Sequence, residues 1–270
     1  SDQLRLYAAS IANRVLPKFM GPAGLSTSIQ PLLARNKIGY WCPPGNNGLP
    51  GIFGYISPTA LGTAVSRVVG VTNLFSRMRR YGYNSAATIN AQAGNRVAIA
   101  QVTLSNGLGE GGFFKVVRWG NADPSVVATA RCFIGVTSST AVLVNAEPST
   151  YTNVIGMGSG VADTTMKIYY GGSVAQTPID LGPNFPANTS NIDVYELTLF
   201  APPNFTGIHW EVTRLNTGHV AKGTIKNLTV GVTLPSHLTL LSYQNCMRCN
   251  TTTAAIVGID IMSDYIETDA

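Results

Sequence analysis

Cys246-Met-Arg-Cys249 has the spacing of half a zinc site or of a redox pair. A zinc site needs a second such pair, and Cys42 and Cys132 stand alone in the chain. A thioredoxin-like pair needs a helix start, whereas the residues around Cys246 read as strand and loop. The four cysteines are therefore read as free thiols. His209, His219 and His237 lack ligand spacing, and no oxygen-ligand cluster has a cation-binding pattern, so neither metal nor cofactor is expected. Asp163, Asp180, Asp193, Glu196, Glu211 or Asp260 could supply a facing carboxylate pair for glycoside hydrolysis. None lies in a motif that marks one, and Glu196 and Asp260 fall within strands where they could face solvent. No nucleophile elbow, Walker loop or dinucleotide fingerprint occurs. Gly109-Glu-Gly-Gly112 precedes a strand rather than a helix and reads as a turn. No catalytic residue is assigned, and the chain is read as non-enzymatic.

Binding chemistry has more candidates. Sugars are held by aromatic faces against the apolar side of a pyranose and by amides, carboxylates and backbone groups on the hydroxyls. Trp119 ends a strand beside Gly120-Asn121-Ala122-Asp123. Tyr169-Tyr170 puts one aromatic on each face of a strand end. Asp163 and Asn204 sit in loops. Receptor contacts are accordingly expected at Trp119, Asn121, Asp123, Asp163, Tyr169, Tyr170 and Asn204. The loops concerned are 121–125, 159–164, 170–176 and 204–207, taken as lying at one end of the molecule. Trp210 shares a face with Ile208 and Val212 and is read as core, and His209 falls on the opposite, polar face.

These side chains have to be positioned by strands. From Asp193 to Leu215, two alternating apolar and polar runs flank Ala201-Pro202-Pro203-Asn204. A period of two with a proline break is a hairpin. Its inward set is Tyr195, Leu197 and Leu199, with Val257, Ile259 and Ile261 as their counterparts near the C-terminus. About a dozen such runs follow residue 63, separated by turn signals such as Asn106-Gly107 and Gly171-Gly172, with no helical pattern between them. The expected fold is an all-β, antiparallel jelly-roll β-sandwich. Before it, Leu4, Tyr7, Ala8, Ile11 and Val15 recur at three- and four-residue spacing, which predicts a short helix over 3–20. Residues 21–58 are broken by Pro and Gly and punctuated by Tyr40, Trp41, Phe53 and Tyr55, which predicts an irregular collar lying against another surface. The expected division is 1–58 for docking or oligomerisation and 59–270 for the sandwich.

Charged residues make up 11% of the 270, with a net charge of +5. A surface so poor in charge suits a virion or extracellular protein, or a subunit that hides area in a homo-oligomer. The one dense basic cluster, Arg77-Met-Arg-Arg80, is too short for a nucleic-acid stripe, so no nucleic-acid partner is expected. No apolar run is long enough to span a membrane as a helix.

A set of phrases distributed over residues 36–270 resembles a C-terminal module of tailed-bacteriophage tail fibre and tail tip proteins. They are Gly112-Phe-Phe with Arg118-Trp119-Gly120, Glu147-Pro-Ser-Thr150 with Ile155-Gly156, Tyr195-Glu-Leu-Thr-Leu-Phe-Ala-Pro-Pro-Asn204, Thr217-Gly218 with Gly223, and Tyr265-Ile-Glu-Thr-Asp269. The resemblance implies a concanavalin-like sandwich carried as a trimer on a virion, contacting other tail proteins and a host-surface glycan or protein. It carries no catalytic residues. Such fibres have a long N-terminal shaft, and here about 60 residues precede the sandwich, so those residues are expected to dock it or to belong to a larger whole. Two alternatives stand beside host recognition: a structural decoration or adaptor subunit, and a glycan-modifying tail enzyme.

Overall fold

The computed structural model describes residues 5–20, 26–28, 37–43 and 51–268. Along the chain the strands are β1 (Arg5–Ile11), β2 (Arg14–Met20), β3 (Ser26–Ser28), β4 (Lys37–Cys42), β5 (Gly51–Phe53), β6 (Thr59–Leu61), β7 (Thr63–Ser66), β8 (Tyr81–Asn84), β9 (Gln92–Arg96) and β10 (Ala100–Val102). They continue as β11 (Phe113–Asn121), β12 (Arg131–Thr137), β13 (Val154–Ser159), β14 (Lys167–Gly171), β15 (Ile179–Asp180), β16 (Tyr195–Ala201), β17 (Gly207–Arg214), β18 (His219–Lys226), β19 (Leu241–Cys249) and β20 (Gly258–Thr268). The one α-helix among the described residues is the single turn α1 (Leu74–Arg77), so no described helix could cross a membrane.

Two large antiparallel sheets face each other. The eight-stranded sheet runs β15-β14-β13-β12-β19-β9-β6, with β10 also on β19. The nine-stranded sheet runs β18-β17-β16-β11-β20-β4-β5, with β7 and β8 attached beside β4 along β20. Alternation explains the layer between them. Tyr195, Leu197 and Leu199 of β16 meet Ile208, Trp210 and Val212 of β17 in one apolar core with Val117 and Trp119, and Ile134, Ile155 and Ile168 come from the facing sheet. Of the expected inward set, Tyr195, Leu197, Leu199, Ile259 and Ile261 are buried in this core, whereas Val257, just before β20, is buried in a separate small cluster with Val127 and Ala130. Two prolines and Asn204 close the β16–β17 hairpin as expected.

One irregularity redirects the last strand. The pairing of β11 with β20 shifts between Arg118 and Trp119, where Met262 is an extra residue on β20. A bulge of this kind inverts the side-chain phase beyond it. Ile259 and Ile261 face the core before it. After it, Asp264 and Ile266 face inward and Tyr265 does not.

The N-terminal segment is a strand pair rather than the expected helix. β1 and β2 pair from Arg5↔Met20 to Ile11↔Arg14, and β3 adds to β2. Ala12 and Asn13 both have positive φ, 47° and 58°, which makes the two-residue turn whose twist matches paired strands. Pro17 is tolerated because β3 pairs only from Lys18 onward, leaving no ladder bond on that side for it to break. Part of the expected collar also belongs to the sandwich: β4 and β5 lie in the nine-stranded sheet, and Trp41 and Tyr55 are buried in the main core. Residues 21–25, 29–36 and 44–50 lie outside the described residues.

Candidate functional site

The outer face of the nine-stranded sheet carries a cleft of about 360 Å³. Its floor is Phe114 of β11 and Phe200 of β16, neighbours across the ladder that meet edge to face at 5.9 Å. Arg14, at the start of β2, lays its guanidinium over Phe114 at 4.4 Å and reaches Phe200 at 5.7 Å. The same guanidinium pairs with Glu267 of β20, which also accepts from the Tyr265 hydroxyl. The other wall is the turn Gly109–Gly112 with Glu110, backed by Pro203. Gly109, Gly111 and Gly112 all have positive φ, and a β-carbon on Gly112 would stand 2.5 Å from the Ala201 carbonyl oxygen. Only glycine fits this wall. Asn106 donates to the Glu110 carboxylate at 2.8 Å and so holds it on the rim. Aromatic faces, two carboxylates and a guanidinium thus line one concavity of ligand-pocket size.

The hairpin tip forms the roof. The Ala12 amide donates to Glu211 at 3.1 Å, and the Asn13 side-chain amide lies 3.0 Å from Nδ1 of His209. His209 is on the outer face, as its strand phase predicts, but sits between this tip and Phe205, whose ring stacks on it at 5.0 Å. Burial pushes the His209 pKa below its ordinary value.

The sequence-derived candidates are dispersed. Trp119 is fully buried and packs on Tyr195 at 5.8 Å. Asn121 is buried and donates to the Ala187 carbonyl at 3.0 Å. Asp123 is fully buried and takes Nε of Arg248 at 3.0 Å, the second guanidinium nitrogen at 2.5 Å and the Gly258 amide at 2.9 Å. Tyr169 is buried beneath the 138–153 segment, and its hydroxyl donates to Asp163 at 2.7 Å. Burial removes Trp119, Asn121, Asp123 and Tyr169 from contact with any ligand in this conformation. Tyr170 does point to the other face, as alternation requires, but that face is the inter-sheet core. Asp163 is partly accessible. Burial opposes its ionisation, yet donors from Lys167, Tyr169 and the Gly160 amide outweigh that and hold its pKa below the usual range. Asn204 is exposed on the turn next to Pro203, at the edge of the cleft.

The four expected contact loops also divide between the two ends of the sandwich. Loops 121–125 and 159–164 lie at the end where β11 finishes and β14 begins, joined through 187–191. Loops 170–176 and 204–207 lie at the opposite end, each bonded to the 226–232 segment.

The cysteine pair makes no joint site. Cys246 and Cys249 are three apart on β19, an odd step that sends them to opposite faces. Cys246 enters the main core and Cys249 the cluster outside the eight-stranded sheet. All four cysteines are free, and no metal-binding group of His, Cys, Asp or Glu occurs among the described residues. Asp260 is buried rather than solvent-facing, held by Arg67 and Arg80. One arginine of the basic cluster is therefore spent on an internal carboxylate. Glu196 pairs with Arg118 on the outer face.

No protein-family model matches the sequence, and no curated protein matches it. Solved structures do match in fold. The chain is similar to lectin II from Ulex europaeus, known in complex with galactose, at 9% identity with a TM-score of 0.56 over 87% of this chain and 99% of that one. Peanut lectin matches at 10% identity and a TM-score of 0.50, over 78% and 91% of the two chains. A protein of unknown function from Shewanella oneidensis matches at 13% and 0.50, over 86% and 87%. The architecture is that of a concanavalin-like, legume-lectin-type β-sandwich.

Proposed function

We propose that this chain is a carbohydrate-recognising component of a phage virion, a tail fibre or tail tip subunit that attaches to host-surface glycan. The cleft on the nine-stranded sheet carries this reading. It offers the partly exposed Phe200 ring for a sugar's apolar face and Glu110 on the rim for its hydroxyls, beside the Arg14–Glu267 pair, in a concavity of about 360 Å³. The lectin-like sandwich and the tail-fibre phrases in the sequence support it. In this reading the chain acts by binding, because the tail-fibre resemblance carries no catalytic residues. The test is adsorption of the purified chain to host cells and to immobilised host polysaccharide, with competition against phage infection. Binding weakened about tenfold by Phe200→Ala, without loss of fold, supports the reading. Wild-type protein that binds neither cells nor polysaccharide overturns it, and release of reducing ends from the polysaccharide would replace it with the enzymatic alternative.

A structural virion subunit is the second reading. Leu228 and Leu238, 82% and 81% exposed, stand with Val230 and Leu240 on one connecting segment. Leu6 and Val15 are 69% and 66% exposed on the hairpin. Aliphatic surface of this kind is usually covered by other chains. We assign it to a homotrimer, for which light scattering should report about three times 28.5 kDa. A monomer at micromolar concentration would remove the trimer. Binding to virions but not to cells would favour the structural role.

A further inference from the structure

Inside the sandwich, Lys115 of β11 touches Asp264 of β20. Their side chains are 0% and 2% exposed. The bulge at Met262 aims Asp264 inward, onto a lysine flanked on its own face by Phe113 and Val117. The rest of the pocket is specific to both groups. The buried Tyr55 hydroxyl donates to Asp264 Oδ2 at 2.5 Å. Lys115 Nζ also donates to Gln244 Oε1 at 3.2 Å, and Gln244 is held in turn by Asn95 at 3.2 Å.

An ion pair this deep loses more by desolvation than it recovers by attraction. Burial pushes the lysine pKa down and the aspartate pKa up. Both shifts bring the neutral pair closer in energy to the ion pair. That neutral pair is a free amine against an unionised carboxylic acid, which is a nucleophile against an electrophile. In water, amide formation from such groups is opposed because both reactants gain by ionising. Here burial withholds that gain. Fixed proximity of the partners can correspond to effective molarities on the order of 10⁵–10⁸ M.

We propose that Lys115 and Asp264 condense into an intramolecular isopeptide bond that welds β11 to β20. The Nζ lone pair attacks Cγ, and negative charge develops on Oδ2, where the Tyr55 O–H stabilises it. Oδ1, which carries the carboxyl proton and touches Nζ, takes one proton from the nitrogen as the Cγ–Oδ1 bond breaks, and leaves as water. The amine brings two hydrogens and the acid one. Water carries away two, and the amide keeps one, facing Gln244 Oε1. The step needs no oxidant and no activated co-substrate. The product closes a loop between residues 149 apart in sequence, and such closure restricts the unfolded chain as a disulfide would. It does so without relying on an oxidising compartment.

The experiment is the intact mass of the full chain, denatured after folding, followed by peptide mapping. The expected mass is one water below that of the sequence, and digestion yields a branched peptide that contains both Lys115 and Asp264. Lys115→Met should return the protein to its full sequence mass, and Tyr55→Phe should slow closure enough to leave a mixture of the two masses. Wild-type protein that keeps its full mass after prolonged incubation in the folded state overturns the proposal, whatever the variants do. So does a lost water that maps to other residues, or a Lys115→Met protein still one water short. Closure of Tyr55→Phe at the wild-type rate overturns the role given to the hydroxyl.

Discussion

The two outer faces of the sandwich are finished in opposite ways. On the eight-stranded sheet, residues 138–153 fold back as a lid. Leu143 and Tyr151 bury Phe133, Met247 and Cys249, with the Phe133 and Tyr151 rings edge to face at 5.7 Å. Side chains of the sheet fasten the lid by its backbone: Gln92 donates to the Leu143 carbonyl at 3.1 Å and Asn245 to that of Ala141 at 3.0 Å. On the nine-stranded sheet, the described cover at the cleft is a hairpin tip, and beneath it lies a concavity lined by aromatic and charged groups. The same fold thus spends its apolar side chains on stability on one face and leaves one aromatic ring, Phe200, within reach of a ligand on the other. Recognition belongs on the second face, because a buried aromatic has no contact left to offer.

The largest effect should come from the closed face. Phe133 is fully buried under the lid, and Phe133→Ala should cost about 3–5 kcal/mol, the usual range for a large core truncation. Chemical denaturation measures it. A loss below about 1 kcal/mol would be a surface-like response, and would mean that the lid is not part of the folded core.

On the open face the order of effects should reverse. Phe200 is only partly buried, so Phe200→Ala should cost much less stability than Phe133→Ala. It should instead weaken glycan adsorption about tenfold, or about 1.4 kcal/mol, as expected for one lost aromatic contact. Adsorption assays on the two variants, compared at a temperature where both are folded, break the comparison if Phe133→Ala loses more binding than Phe200→Ala.

The legibility of these features in the sequence follows from how local their causes are. The β16–β17 hairpin was readable because alternation and two prolines lie within 23 consecutive residues, Asp193 to Leu215. The N-terminal hairpin was not, because Leu4, Tyr7, Ala8, Ile11 and Val15 also satisfy a helical spacing, and the deciding feature is the positive φ of Ala12 and Asn13. Asp123 looked like a loop ligand because its neighbours are Gly, Asn and Pro. Its true partner, Arg248, is 125 residues away. The cleft has the same character, since Arg14, Glu110 with Phe114, Phe200 and Glu267 come from four separate segments. One local signal did exist. Glycines at 109, 111 and 112 directly before Phe113-Phe114 mark a turn kept free of side chains beside an aromatic strand.

The smallest effect tests the hairpin that roofs the open face. His209 Nδ1 meets the Asn13 side-chain amide at 3.0 Å and the Thr224 hydroxyl at 2.7 Å, and both can donate to it only when that nitrogen is unprotonated. The depressed pKa of His209, caused by its burial, agrees with a neutral ring. The sign follows from linkage. A histidine released from the tip binds protons more readily than one held under it, so the released state gains protons as pH falls. Docking should be fully present above the ordinary histidine range and should weaken as pH drops through it, from about 7 to about 5.5. Amide hydrogen exchange in residues 5–20, corrected for the intrinsic pH dependence of exchange, should therefore show lower protection at the acidic end while the strands of the core stay protected. His209→Phe, which keeps a ring against Phe205 but cannot titrate, should flatten that difference. Equal protection at both pH values in the wild type would mean that His209 does not hold the hairpin down, and the open face would then need another group to position its roof.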